Sequence, residues 1–270
     1  MTSRTIPIFF SVNDRYAAPL AVAIASLIKH ANSKDTHYDL IVLYQELSQA
    51  NQTKLASLAT NNITIRFIAL DDKFGSRFDN DQNTLRADYK TLTIYYRLFI
   101  ADMFPEFDKA IYVDADIILR DDIAKLYAID LMDSIVGATN DRFIATDPVV
   151  AAYANDAVGI SSQLYVNSGV LLMNLKKFRD TKFTDQFLEL LTTYHFTLIA
   201  PDQDYLNAIA KHDIYQLPMD WNLETAAMPE EFKPARLVHY NLFEKPWQYK
   251  MFPLLMNSGQ RLNKLLIMRN

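Results

Sequence analysis

Apolar positions in the first 70 residues fall into two alternating kinds of run. Ile6 to Val12 is almost continuously apolar, as is Tyr38 to Tyr44, and Ile63 to Leu70 is a third such run. Short unbroken apolar runs predict strands buried on both faces. Between them, Tyr16 to His30 is Ala-rich and apolar with Pro19 near its start, which predicts a helix. Ser48 to Thr60 is amphipathic, and Ser48 is suited to cap it. The order βαβαβ predicts an α/β fold, with a parallel sheet covered by helices on both faces.

Further along, the pattern loosens. Asp71 to Tyr89 is polar and loop-like, and Thr91 to Phe104 reads as a helix ended by Pro105. Ala110 to Val113 reads as a central strand. After Gly137, Val166 to Met173 is strand-like, Thr181 to Phe196 and Asp202 to Lys211 are helical, and Arg236 to Tyr240 is a last short strand. No repeat or linker divides the chain, so residues 1–250 read as one domain. Residues 251–270 read as a basic, amphipathic helical extension. From Lys245 to Asn270, Lys245, Lys250, Arg261, Lys264 and Arg269 stand without an acidic residue, with Leu262, Leu265, Leu266 and Met268 among them. Such a segment docks on a core, or makes weak contact with an anionic membrane surface or a protein.

Composition narrows the classes. Half of the 270 residues are hydrophobic and 22% are charged, enough for a large core. A net charge of −5 argues against a broad nucleic-acid surface. There is no cysteine, which excludes disulfides and thiolate metal sites and suits a reducing cytosol. No run approaches the ~20 apolar residues of a membrane span. The expected location is cytoplasmic, with peripheral attachment at the inner membrane face as a variant. None of the five glycines follows the first strand, so neither G-x-G-x-x-G nor a P-loop is present. A bound phosphate would need metal and side chains instead.

Candidate chemistry begins at Ala110-Ile111-Tyr112-Val113-Asp114-Ala115-Asp116-Ile117-Ile118-Leu119. In an extended strand Asp114 and Asp116 point to one side. Two like charges that close need a cation between them, and hard oxygen ligands suit a divalent one serving a phosphate. Two other readings fit a D-x-D: a solvated strand-to-loop turn, and a metal-dependent phosphohydrolase with a nucleophilic first Asp. The latter expects its nucleophile near the N-terminus, whereas Asp114 lies well inside the chain.

Four more segments accompany the D-x-D: Thr93-Ile94-Tyr95-Tyr96-Arg97-Leu98, Val166-Asn167-Ser168-Gly169 running on to Lys177, Pro201-Asp202-Gln203-Asp204-Tyr205-Leu206-Asn207, and His239-Tyr240-Asn241-Leu242-Phe243-Glu244-Lys245-Pro246-Trp247. In identity and order, from Ile6 to about Trp247, the chain resembles family 8 glycosyltransferases, which include bacterial lipopolysaccharide galactosyl- and glucosyltransferases and glycogenin. The resemblance implies a GT-A fold, Rossmann-like with a mixed, mostly parallel sheet. It also implies a UDP-sugar donor, Mn²⁺ (with Mg²⁺ as the alternative) and retention of anomeric configuration. By the same resemblance Asp114, Asp116 and His239 are metal ligands, and Ala115 lies between them at the donor. Lys245 meets the donor phosphates, Arg97 approaches the donor near the metal, and Ser11, Asn13 and Arg15 hold uracil and ribose. Asp141, Asn167, Asp202 and Gln203 surround the transferred sugar, with Asp141, Asp202 and Gln203 as the catalytic candidates.

Several of these residues also have plainer readings. Outside this constellation His239 would be a core histidine, Lys245 a solvated turn lysine, Arg97 half of a structural ion pair, and Asp202 a helix cap. Two positions depart from the family pattern. Asn13 stands where an acidic residue is usual. Leu242 stands where H-x-x-G-x-x-K-P-W has glycine, keeping the amide but altering the loop. Retention is expected through same-face attack, because Gln203 is an amide and a poor nucleophile. The expected reaction moves glucose or galactose to a hydroxyl of a glycan or glycosylated protein. The short stretch after Trp247 tilts the expected acceptor toward a soluble one. A non-catalytic sugar-nucleotide-binding subunit is the non-enzyme alternative.

Overall fold

The computed structural model describes residues 4–70, 95–194, 196, 201–225, 235–242 and 245–248. The predicted βαβαβ unit is present as β1 (Arg4–Val12), α1 (Ala17–His30), β2 (Thr36–Tyr44), α2 (Gln49–Ala56) and β3 (Ile63–Ala69). Ser48 caps α2 as expected, its Oγ accepting from the Asn51 N–H at 3.4 Å.

The remaining strands are β4 (Ala110–Val113), β5 (Ile117–Leu119), β6 (Val136–Ala138), β7 (Val170–Met173), β8 (Ile214–Gln216), β9 (Leu223–Glu224) and β10 (Leu237–His239). The main sheet has the order β3-β2-β1-β4-β7-β6-β8, and a small one has the order β5-β10-β9. In the main sheet only β7 runs against the others, pairing antiparallel with β4 and β6. This is the mixed, mostly parallel α/β architecture that the resemblance implied.

Burial on both faces explains the continuous apolar runs. Ile6, Ile8, Phe10 and Val12 of β1 pack in one layer with Leu20, Ala23, Ile24 and Leu27 of α1. Phe9 points the other way, into a layer with Phe104, Phe178 and Phe187. The period of two divides one strand between two cores.

Some elements differ from expectation. Of the stretch Thr91 to Phe104, residues 91–94 lie outside those described; the rest is a 3₁₀ turn, Tyr96–Phe99, and one α turn, Ile100–Met103. The tighter 3₁₀ turn buries Tyr96, Arg97, Leu98 and Phe99 in succession, so no amphipathic stripe runs through it. Strand β7 begins at Val170 rather than Val166. The Asn167 side chain bonds its own backbone there, accepting from the Gly169 N–H at 2.9 Å, and this local turn displaces the ladder. The helix expected over Thr181 to Phe196 spans Phe183–Thr193. The polar stretch 71–89 and the extension 251–270 lie outside the described residues. No described helix is long and apolar enough to cross a membrane.

Candidate active site

The carboxyl ends of β1, β4, β6 and β10 converge on a cleft of about 410 Å³. Ligands sit at such strand ends in open α/β sheets because the chain turns away there and leaves a crevice. Ser11, Asn13, Arg97, Asp114, Ala115, Asp116, Asp141, Asn167, Asp202, Gln203, His239, Leu242 and Lys245 all line it. Arg15 is exposed and is not among the lining residues.

Asp114 and Asp116 do not lie in an extended strand. They occupy a bend between β4 and β5, and two backbone bonds hold that bend: Asp114 N–H to the Gly169 carbonyl at 2.8 Å, and Tyr240 N–H to the Asp116 carbonyl at 2.9 Å. Strand β10 runs antiparallel beside β5 and delivers His239 opposite Ile117. His239 Nε2 thereby stands 3.6 Å from Asp114 Oδ2 and 3.4 Å from Asp116 Oδ1. One ligand atom from each of the three residues falls within 4.8 Å of the others. Two carboxylates and an imidazole can hold a divalent cation such as Mn²⁺, and the imidazole makes Mg²⁺, which prefers oxygen ligands, the poorer fit.

The two acids are neutralised differently. Lys245 Nζ bonds Asp116 Oδ2 directly and also donates to the Tyr240 carbonyl at 2.6 Å. Burial by itself would raise the Asp116 carboxyl, but the hydrogen bond and charge of His239, and then Lys245, outweigh it and hold the pKa at about 2. Asp114 accepts from Tyr112 Oη at 2.9 Å and from Arg97 Nη2 at 3.0 Å.

Arg97 is buried and bridges two acids, its Nε lying 3.2 Å from Asp202 Oδ2. Its Nη1 donates to the Ser168 carbonyl at 2.6 Å, and the guanidinium lies over the Tyr112 ring at 4.3 Å. Burial lowers its proton affinity, yet Asp114 and Asp202 together more than restore it and keep the group charged. Because one guanidinium serves two carboxylates, burial still leaves the Asp202 carboxyl above its ordinary pKa. The structural ion-pair reading of Arg97 is therefore observed, at the edge of the cleft itself.

On the far side of the cleft, Asp141 caps the short helix Arg142–Thr146 through Oδ1, which accepts from the Ile144 N–H at 3.0 Å. Its Oδ2 accepts from Asn167 Nδ2 at 3.1 Å and Gln203 Nε2 at 2.9 Å. Gln203 Oε1 accepts from the Ser168 N–H at 2.9 Å. Both ends of the Gln203 amide are thus held. Nearby, burial lifts Asp204 to about 6 despite hydrogen bonds from Tyr165 and Tyr153.

Asn13 Oδ1 accepts from the Arg15 N–H at 3.1 Å, and Asp14 beside it binds the Ser48 N–H at 2.7 Å. The acidic side chain next to Asn13 is therefore engaged in fixing the start of α2. Leu242 has φ 58°, a left-handed conformation. Leucine here keeps the backbone shape that glycine adopts freely, at a cost of about 1–2 kcal/mol in conformational energy. Leu242→Gly should accordingly leave the unfolding free energy unchanged or raise it by up to about 1 kcal/mol, after glycine's own entropy cost. Urea titration measures this. A clear loss of stability would mean that the leucine side chain's contacts outweigh the strain.

Several site residues carried no role in the sequence reading. Ser168 and Gly169 lay in a motif already singled out, yet only their neighbour Asn167 was assigned. A Cβ on Gly169 would collide with the His239 ring and stand 2.7 Å from Asp114 Oδ2. Tyr16 lines the cleft and meets Trp247 edge-on at 6.2 Å; burial and then the charges of Asp116 and Asp114 push its hydroxyl to about 12. Asn222 is buried against His239 Nδ1 at 3.1 Å, and nothing in its local sequence marked it.

Comparison with known proteins bears on all of this. A candidate glycosyltransferase of Haemophilus influenzae is 31% identical over 210 residues, covering 77% of this chain and 60% of that protein. The chain thus spans less than two thirds of that relative's length. Lipopolysaccharide 1,2-glucosyltransferase of Escherichia coli is 26% identical over 258 residues, covering 90% of this chain and 73% of the relative. Among solved structures, the galactosyltransferase LgtC, determined with donor and acceptor sugar analogues, superposes with a TM-score of 0.75 at 25% identity, covering 96% of this chain and all of LgtC. The sequence model of glycosyl transferase family 8 matches residues 7–251, and the chain belongs to that family.

Proposed function

We propose that this protein is a Mn²⁺-dependent, retaining transferase that moves glucose or galactose from a UDP-sugar to a hydroxyl of a glycan or glycosylated protein. The observation that carries this reading is the meeting of Asp114, Asp116 and His239 in one cleft with Lys245, Asp141 and Gln203. Family membership leaves the phosphohydrolase reading without support, and Asp114 is already engaged by Arg97 and Tyr112. The glucosyl- and galactosyltransferase relatives make both hexoses, and surface glycans as acceptors, natural candidates.

Asp114, Asp116 and His239 would hold the cation, Mn²⁺ with Mg²⁺ as alternative. When bound, it supplies Lewis-acid stabilisation of charge on the departing diphosphate. Lys245, a compact cation now resting on Asp116, pairs with phosphate oxygens and stabilises the same charge. Tyr16, which lines the cleft with Ser11 and Asn13, would stack on the base. Asp141 and Asn167 accept from and donate to hydroxyls of the transferred sugar, and Asp202 holds Arg97 in place.

Gln203 orients rather than attacks. An amide is a poor nucleophile, and both of its polar ends are bonded. Attack then comes from the face the UDP vacates, and the departing phosphate oxygen takes the acceptor hydroxyl proton. Incubation with UDP-glucose, UDP-galactose and UDP-GlcNAc, with Mn²⁺ or EDTA, tests the assignment. UDP release with Mn²⁺ only, and an α-linked product by NMR from an α-linked donor, are expected. UDP release that persists undiminished in EDTA would reject the metal, and a β-linked product would reject retention. Absence of any UDP release or transfer would favour the non-catalytic subunit.

A further inference from the structure

Asn222 belongs to none of the recognised motifs, yet it is completely buried behind the metal centre. It ends a chain of hydrogen bonds whose polarity can be read from its fixed members. The Gly169 N–H can only donate, and it donates to Asn167 Oδ1 at 2.9 Å. At the other end of that amide, Asn167 Nδ2 faces Asp141 Oδ2 at 3.1 Å, and Asp141 is held there by other donors. Asn167 is therefore oriented by two partners of settled role. Its Oδ1 also accepts from Asn222 Nδ2 at 3.0 Å, which turns Asn222 Oδ1 toward His239 Nδ1 at 3.1 Å. An amide oxygen has no proton to give, so Nδ1 carries the hydrogen, and in the neutral ring Nε2 therefore keeps its lone pair.

We infer that Asn222 is a positioning residue of the metal centre, which holds His239 as the Nδ1–H tautomer with Nε2 free to ligate. Through Asn167 it ties that ligand to Asp141, so the metal centre and the sugar-facing side of the cleft share one hydrogen-bond polarity. Metal-ligating histidines gain orientation and basicity from such a partner on their other nitrogen. The inference rests on the metal assignment proposed above. A purely structural asparagine would stabilise the fold without governing the imidazole.

Two readouts separate these roles. Long-range ¹H–¹⁵N NMR of metal-free protein, at a pH above the ring's titration, reports the His239 tautomer; His239→Gln identifies its signals. Free Mn²⁺ measured by EPR gives the affinity for the metal alone. Wild type should show only the Nδ1–H form. Asn222→Leu should populate the other tautomer and weaken Mn²⁺ binding about 10- to 100-fold. Asn222→Asp keeps an acceptor at Nδ1 and should retain both the tautomer and the affinity. The inference is overturned if folded Asn222→Leu keeps both properties, or if Asn222→Asp loses Mn²⁺ as far as Asn222→Leu does. Should Asn222→Leu not fold, the Asn222→Asp result decides. If wild type binds no Mn²⁺, the metal assignment fails, while the tautomer comparison still decides the role of Asn222.

Discussion

Asp116→Asn is expected to reduce Mn²⁺-dependent transfer by more than about 100-fold, because loss of a ligand should exceed the effect of losing a supporting residue. Asp114→Asn should do the same. Two repelling carboxylates would suggest that removing one relieves the metal-free protein, but the structure argues otherwise for Asp116. Its carboxyl is held at about 2 by His239 and Lys245, against an ordinary value of 3.8. A folded pKa below the unfolded one means stabilisation that is present above about pH 4 and lost as pH falls toward 2. Asp116→Asn should therefore lower unfolding free energy at pH 7 and about half as much at pH 3, since it strands the Lys245 ammonium in a buried position. Urea titrations at the two pH values, with Mn²⁺-dependent UDP release, check both parts. Full activity in the variant, or equal stability at pH 7, would sink the account of this carboxylate.

Gly169→Ala should be as damaging to metal binding although glycine supplies no ligand. The added methyl would collide with the His239 ring and come within 2.7 Å of Asp114 Oδ2. Neither neighbour can yield cheaply: His239 is anchored by Asn222, and Asp114 by Tyr112 and Arg97. Overpacking of this kind costs about 1–3 kcal/mol in a closed core. Here the strain falls on two ligands at once. Mn²⁺ affinity should fall at least as far as in Asn222→Leu, with a lowered midpoint of thermal unfolding. Wild-type Mn²⁺ affinity in folded Gly169→Ala would show that the ligands can separate without losing the metal.

Local pattern was sufficient for much of the fold. The unbroken apolar runs of β1, β2 and β3 and the Ala-rich α1 follow from period and burial alone, because each is decided within its own residues. Candidate residues were legible where chemistry is clustered in short motifs, as in Asp114-Ala115-Asp116 and Asp202-Gln203. Their meeting in one cleft rested on the family resemblance rather than on spacing.

What the tertiary structure decided are the pairings between distant segments. That β7 runs antiparallel between β4 and β6, and that β10 lies against β5, depends on backbone bonds no local period encodes. The bend at Asp114 to Asp116 departs from the extended geometry because Gly169, just before β7, and Tyr240, just after β10, hold its backbone. Leu242 has a left-handed φ that its residue type disfavours, so only the folded loop reveals that this position takes a conformation glycine adopts freely. Asn222 shows the division most sharply. It stands 55 positions from Asn167 and 17 from His239, and its role exists only once folding brings three amide and imidazole groups into hydrogen-bond contact. Sequence by itself determined which strands are buried and which side chains carry charge or metal affinity, because those are properties of single residues and their near neighbours. The polarity of the hydrogen bonds joining them was decided by the tertiary structure, because a hydrogen bond needs two partners about 3 Å apart in space, whatever their distance along the chain.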